Sequence, residues 1–332
     1  MQIPIYLVIV LLALIAAAII VVFVILVKTL VSTRSHSQHS TSQPGSARQL
    51  KSGDPSPSHD SSDSSLILNR YRVREILRQT QFGQTYVAED LQSNKRKRDL
   101  YLIKHFDPQM GSLSKIDTAR RLFQGEAEVL DMLADLSQIP QGVNYLESGD
   151  DIWLLREYIV GHPLNEELIE GKPCSEAQVL DVLRRTLPIL GAIHQRNIIH
   201  RDVKPDNLIR RDSDQQLILI DFGAAKERDP DDEVRTMMTV SIGTPSYTPY
   251  EQLFGKPVFA SDIYALGVIG IQMLTGRPPN RIPIDMAEHE YQWRDLARVN
   301  PTLGGILDKM ICFRTPDRYG SAEAVLKDLD AL

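Results

Sequence analysis

No charged residue interrupts the chain from Ile3 to Val27. A helix of that length covers roughly 37 Å at 1.5 Å per residue, enough to cross a hydrocarbon core of about 30 Å with some tilt, so residues 3–27 are expected to form a transmembrane helix. A cleaved leader is the rival reading, but the run is too long, no basic residue precedes it and no small-residue cleavage site follows it. From 28 to 68 the pattern inverts: serine dominates, with scattered His, Pro, Gly and Asp. Such a stretch buries too little surface to offset its ordering entropy and is expected to be a flexible juxtamembrane linker. Solvation accounts for its serines as well as phosphorylation in cis would. Beyond 69 the stretches Tyr71 to Leu77, Gln84 to Glu89 and Asp99 to His105 alternate or cluster β-formers and predict strands. Periodicity then turns helical. Ser175 with Gln178 three residues on forms a candidate capping box ahead of Val179, Leu180, Val182, Leu183 and Leu187. Leu217 to Ile220 predicts a buried strand, and Ile263 to Leu274 an almost wholly apolar helix.

Composition changes this picture little. The chain has 332 residues and a net charge of −6, which argues against a nucleic-acid partner. Two cysteines, Cys174 and Cys312, are too few for a disulfide framework and agree with a reducing compartment. Lys28, Arg34, Arg48 and Lys51 follow the apolar run while only Met1 and Gln2 precede it, so residues 1–2 are expected outside and the bulk in the cytoplasm. The implied location is the cell membrane, crossed once. The run Lys95 to Arg98 reads as a solvated hairpin tip or as a contact for acidic lipid.

The chemistry concentrates in His200-Arg201-Asp202-Val203-Lys204-Pro205-Asp206-Asn207 and, fourteen residues after Asn207, in Asp221-Phe222-Gly223. A transferring phosphoryl group is surrounded by negative charge, so a site for it supplies cations, orients the nucleophile and holds a divalent metal. Asp202 can accept the proton of a hydroxyl, Lys204 can meet a phosphate, and Asn207 and Asp221 offer hard oxygens suited to Mg²⁺. On these two motifs the chain resembles the eukaryotic-like Ser/Thr protein kinases of bacteria.

The resemblance runs from Asn69 to Leu332 and implies an α+β, two-lobed kinase fold. An N-lobe with hinge is expected over 69–160 and a mainly helical C-lobe over 161–332. ATP and Mg²⁺ are the implied cofactors, with Mn²⁺ as an alternative ion, and proteins bearing Ser or Thr are the implied substrates. Lys104, at the end of Tyr101-Leu102-Ile103, corresponds to the ATP-anchoring lysine. Its glutamate partner is Glu126 or Glu128, with Glu126 the better fit to the family spacing. Trp153 to Ile159 looks like the hinge, where backbone groups of Glu157 and Ile159 would meet adenine. Leu77, Gly83, Thr85 and Leu102 would line the nucleotide from above. The segment from Asp221 to Glu251 resembles an activation segment, with Thr236 and Thr239 as candidate phosphosites and Arg201 as their partner. Thr244 corresponds to a residue that hydrogen-bonds the catalytic Asp and Lys. Glu251 is expected to pair with Arg318, and Asp262, ahead of its apolar helix, to brace the catalytic loop.

Several positions depart from the family, among them Pro249-Tyr250 in place of Ala-Pro ahead of Glu251. Arg78 and Thr80 stand where glycines let phosphates approach, leaving only Gly83, and Thr85 and Leu102, in place of valine and alanine, would narrow the adenine slot. Arg156 gates the back of the pocket, bending toward Glu126 or toward a phosphate. Two readings follow: an active membrane-anchored Ser/Thr kinase, regulated by activation-segment phosphorylation and open to homodimer formation through its apolar helix, or a membrane-tethered pseudokinase scaffold with weak nucleotide binding.

Overall fold

The computed structural model describes residues 66–80, 83–93, 99–107, 113–227, 244–285 and 289–332. The expected transmembrane helix, nearly all of the linker, the Lys95 to Arg98 run, Thr236 and Thr239 lie outside them. Among the described residues no helix is long and apolar enough to cross a membrane.

The first lobe is one antiparallel sheet of six strands: β1 (Leu66–Ile67), β2 (Tyr71–Thr80), β3 (Gly83–Asp90), β4 (Leu100–Phe106), β5 (Asn144–Ser148) and β6 (Asp151–Glu157), in the order β1-β2-β3-β4-β6-β5. The sheet begins at Leu66, three residues ahead of the boundary expected at 69, because Leu66 and Ile67 pair with Arg72 and Tyr71. Alternation sorts the side chains onto two faces. Ile103 and Leu155 join Tyr71 and Ala88 on one side. Phe106 and Ile152 lie on the other, packed against Ile116 and Ala119 of helix α1 (Leu113–Met132). Lys104, two residues before Phe106, shares that second face and so points toward α1.

The second lobe is mainly helical. Helix α2 (Glu176–His194) starts as expected: Ser175 Oγ accepts from Gln178 N and Gln178 Oε1 accepts from Ser175 N. Helix α3 (Tyr250–Leu253) is a single turn, followed by α4 (Phe259–Thr275), α5 (Pro301–Met310) and α6 (Ala322–Leu329). Helix α4 starts earlier than its apolar pattern predicted, so Asp262 lies in its first turn rather than ahead of it. Here Val258 N donates to Ser261 Oγ at 3.0 Å, a local bond that carries the helix back past the apolar run.

The lobes share a core. Val129 and Leu130 of α1 and Leu133 just beyond it belong to the same buried cluster as Leu183 and Leu187 of α2 and Leu266 and Ile269 of α4. The end of α1 is thereby anchored on the second lobe while its middle lies against the sheet. Two small sheets frame the segment between α2 and the later helices: a three-stranded one of β7 (Gly161–Pro163), β9 (Leu208–Arg211) and β10 (Leu217–Leu219), in the order β10-β9-β7, and the pair of β8 (Ile198–Ile199) with β11 (Lys226–Glu227). The 200–207 loop therefore runs between two fixed strands, and Asp221 follows a strand buried at all three positions.

Candidate active site

Helical phase settles the choice of glutamate. Ile116, Ala119, Phe123, Glu126 and Leu130 fall on one stripe of α1, and Glu126 is 4% exposed. Glu128, two residues on and about 200° around the helix, is exposed and bonds Gln124 instead. Lys104 Nζ stands 2.8 Å from both carboxylate oxygens of Glu126 and 2.8 Å from Asp221 Oδ1. Burial works against the Lys104 charge, but Glu126 and then Asp221 outweigh it and leave the ammonium held above its ordinary pKa. The same lysine holds the Asp221 carboxyl well below the usual carboxylate range. Both groups are thus ionised at neutral pH.

A second cluster surrounds Asp202. Lys204 Nζ reaches its Oδ2 at 2.6 Å and Asn207 Nδ2 reaches the same oxygen at 3.0 Å. Thr244 donates to Oδ1 through both its backbone N–H and its hydroxyl, each at 3.1 Å. Lys204 also reaches Thr244 Oγ1 at 3.0 Å, the arrangement expected of that threonine. Asn207 spends its amide donors on the carboxylate and on the Asp202 carbonyl at 2.8 Å. That orientation leaves its side-chain oxygen as an acceptor. The two clusters are joined through the backbone, since Ile220 N donates to Asn207 O at 2.9 Å immediately before Asp221.

The loop is held from below by Asp262, which is 1% exposed. Its Oδ2 accepts from His194 Nε2 and His200 N, and its Oδ1 from Arg201 N, all at 2.9 Å. Burial opposes its charge, yet the bond from His194 and the neighbouring donors win and its pKa lies below the ordinary value. His200 is a linker whose tautomer follows from its partners. Asp202 N donates to Nδ1, so the ring proton is on Nε2 and meets Ile220 O at 3.1 Å. Arg201 and Asp221 both adopt left-handed backbone, with φ of 68° each, conformations a side chain pays for and a surrounding structure must fix.

Other expected residues fall into place unevenly. Thr85 and Leu102 are half-buried, opposite Lys104 and Arg156 respectively, on the sheet face that carries the lysine. Leu77 is exposed on β2. Gly83 is a glycine for a reason the sequence did not show: a Cβ there would stand 1.9 Å from His105 O of β4. Glu157 N already donates to Gln141 O at 2.7 Å, so the expectation for that residue narrows to its carbonyl. Arg201 is 5% exposed with Nε buried, and burial lowers its pKa; its expected partners at 236 and 239 lie outside the described residues. Arg156 bonds no carboxylate among the described residues, so the expected bend onto Glu126 does not occur. Glu251 and Arg318 form the expected pair, at 2.7 and 3.1 Å, with Arg318 also capping the Cys312 and Phe313 carbonyls.

Over residues 71–329 the sequence matches the protein kinase domain. The chain belongs to the protein kinase family. This kinase domain is 38% identical over 271 residues to serine/threonine-protein kinase C of Synechocystis, covering 80% of the chain and 50% of that protein. It is 35% identical over 269 residues to serine/threonine-protein kinase PknA of Nostoc, covering 80% of the chain and 47% of that protein. The chain thus spans about half the length of the curated relatives it matches. In the kinase domain the residue that motif reading could not supply is His194, the third donor to Asp262. It lies 68 positions away on α2 and bears no local signal.

Proposed function

We propose that this chain is a protein Ser/Thr kinase that transfers the γ-phosphoryl group of ATP to a Ser or Thr hydroxyl. The observation that carries the reading is the Asp202 carboxylate. Four donors from Lys204, Asn207 and Thr244 aim it, with the Lys104, Glu126 and Asp221 cluster one strand end away.

Asp202 orients the substrate hydroxyl and takes its proton as the oxygen forms a bond to the γ-phosphorus. The bond to the bridging oxygen breaks and ADP leaves with that electron pair. Lys204, within reach of both Asp202 and Thr244, offsets the charge that spreads over the transferring group. Lys104, fixed by Glu126, meets the other phosphates. The donor set fits Mg²⁺, since a hard cation takes one or two carboxylate or amide oxygens plus phosphate. Asp221 and Asn207 would hold it, and the ion would neutralise phosphate charge. Thr244 between Asp202 and Lys204 builds one wall of the place where a hydroxyl would enter.

The scaffold reading draws on exposed Arg78 and buried Arg156. It gives no reason for six such groups to be held in two ordered clusters, Lys104 with Glu126 and Asp221, and Asp202 with Lys204 and Asn207. Radiolabelled ATP with phosphoamino acid analysis separates the two: phosphoserine or phosphothreonine from wild type and none from Asp202→Asn is expected, and equal label in both defeats the proposal.

The proposal extends to location and control. The charge-free run at 3–27 anchors the chain in a lipid bilayer with the kinase domain cytoplasmic, close copies on one membrane favour a homodimer, and Thr236 or Thr239 takes a phosphate that Arg201 pairs with. Release of the chain from membranes by alkaline carbonate without detergent would refute the anchor.

A further inference from the structure

Arg156 is 3% exposed, and its Nε is buried without a hydrogen-bond partner among the described residues. A guanidinium in that state is strongly unfavourable unless something else answers its charge. Its place is fixed by register. Arg156 of β6 lies opposite Leu102 of β4, and Leu154 lies opposite Lys104, so Arg156 and Lys104 are diagonal neighbours on the face that looks toward α1. Such neighbours stand about 7–8 Å apart at their backbones, close enough for long side chains to act on the same groups. Its charge reaches both partners of the site, opposing the Lys104 ammonium and holding Asp221 further down.

Charge balance then differs from that of the recognised cluster alone. Lys104, Glu126 and Asp221 sum to one negative charge, and Arg156 brings the four to zero. Arginine stays ionised at any working pH, and a buried charge is screened little by salt. Nucleotide phosphates entering a net negative cleft need metal to offset the repulsion. Entering a neutral one they need less.

We infer that Arg156 is a positioning residue whose standing positive charge, behind Lys104 and Asp221, lets the cleft receive nucleotide phosphates with reduced dependence on divalent metal. A merely space-filling Arg156 would matter equally with and without metal. The inference rests on nucleotide binding at the site proposed above.

Calorimetry on the full chain tests it, measuring the Kd of ATP in excess EDTA and in saturating MgCl₂ for wild type, Arg156→Met and Arg156→Lys. Arg156→Met is expected to weaken metal-free binding about tenfold, or ~1.4 kcal/mol, and binding with MgCl₂ less than about threefold, with Arg156→Lys restoring the metal-free value. Equal weakening in both buffers, no change in either, or a lysine variant that behaves like methionine would overturn it. Should Arg156→Met fail to fold, the wild type decides: a metal-free Kd within about thirtyfold of the MgCl₂ value supports the inference, and a weaker one contradicts it. No binding by wild type in MgCl₂ would sink the kinase reading too, whereas binding with an unmoved ratio sinks this inference alone.

Discussion

Replacing Asp262 tests how the catalytic loop is held. Its carboxylate is 1% exposed and accepts three hydrogen bonds, from His194 Nε2, His200 N and Arg201 N. Asp262→Ala strands all three donors where water does not reach, and each such orphan costs about 1–3 kcal/mol, so the sum is about 3–9 kcal/mol. Against a domain stability of roughly 5–15 kcal/mol, that leaves some alanine variants largely unfolded. Asp262→Asn is the informative change. It keeps the shape but turns an amide toward at least one donor, for a loss of about 2–4 kcal/mol. Two of the three bonds hold the backbone on either side of His200, next to an Arg201 whose left-handed φ of 68° is strained for a side chain. The loss therefore reaches Asp202 itself, and kcat of the folded fraction is expected to fall at least tenfold. Urea denaturation of the full chain, read by the fluorescence of fully buried Trp293, gives the stability, and phosphotransfer gives kcat. The pH dependence has a definite sign. A carboxyl whose folded pKa is lowered contributes above the unfolded value of about 4 and stops contributing as pH falls through the folded one. The gap between wild type and Asp262→Asn must therefore narrow in acid. A stability change below about 1 kcal/mol with kcat intact would refute the bracing role.

Further outcomes follow from the same geometry. Glu251→Ala leaves the Arg318 guanidinium, 1% exposed as a side chain, with an uncompensated charge. A loss of about 3–5 kcal/mol in denaturation is expected, and a loss under about 1 kcal/mol would contradict the pair's structural role. Thr244→Ala removes the hydroxyl bonded to Asp202 and Lys204. That predicts a kcat about 10–100-fold lower with ATP affinity nearly unchanged and Thr244→Ser close to wild type, whereas a change confined to KM would count against it. Lys104→Met removes the charge that most depresses the Asp221 carboxyl. Stability of the variant should fall less steeply than that of wild type as pH drops below about 4, and parallel curves would show that the ion pair is not what holds that carboxyl down.

Much of the site was legible because its residues sit close together in the sequence. Asp202, Lys204 and Asn207 share one loop, and the strand before Asp221 announces itself by its apolar run. The capping box at Ser175 was equally local. Three things needed coordinates. Glu126 and Glu128 differ only in helical phase, so the answer depends on which side of α1 faces the sheet. His194 joins Asp262 across 68 positions, a relation that no local pattern records. Gly83 looked like a remnant of a phosphate loop, whereas its neighbour His105 O already forbids a side chain there. The start of α4 was misjudged for a related reason: apolar periodicity marks the buried stretch, and the polar first turn held by Ser261 and Asp262 lies before it.

The central claim is that the two clusters together bind MgATP and that Asp202 then takes the hydroxyl proton. The direct measurement is nucleotide affinity and phosphotransfer on the same preparations of wild type and Asp202→Ala. The account predicts MgATP binding within about threefold in the two proteins and transfer to Ser or Thr at least about a thousandfold slower in the variant. Equal transfer rates, or a wild type that binds MgATP and transfers nothing to any Ser or Thr substrate or to itself, would contradict it.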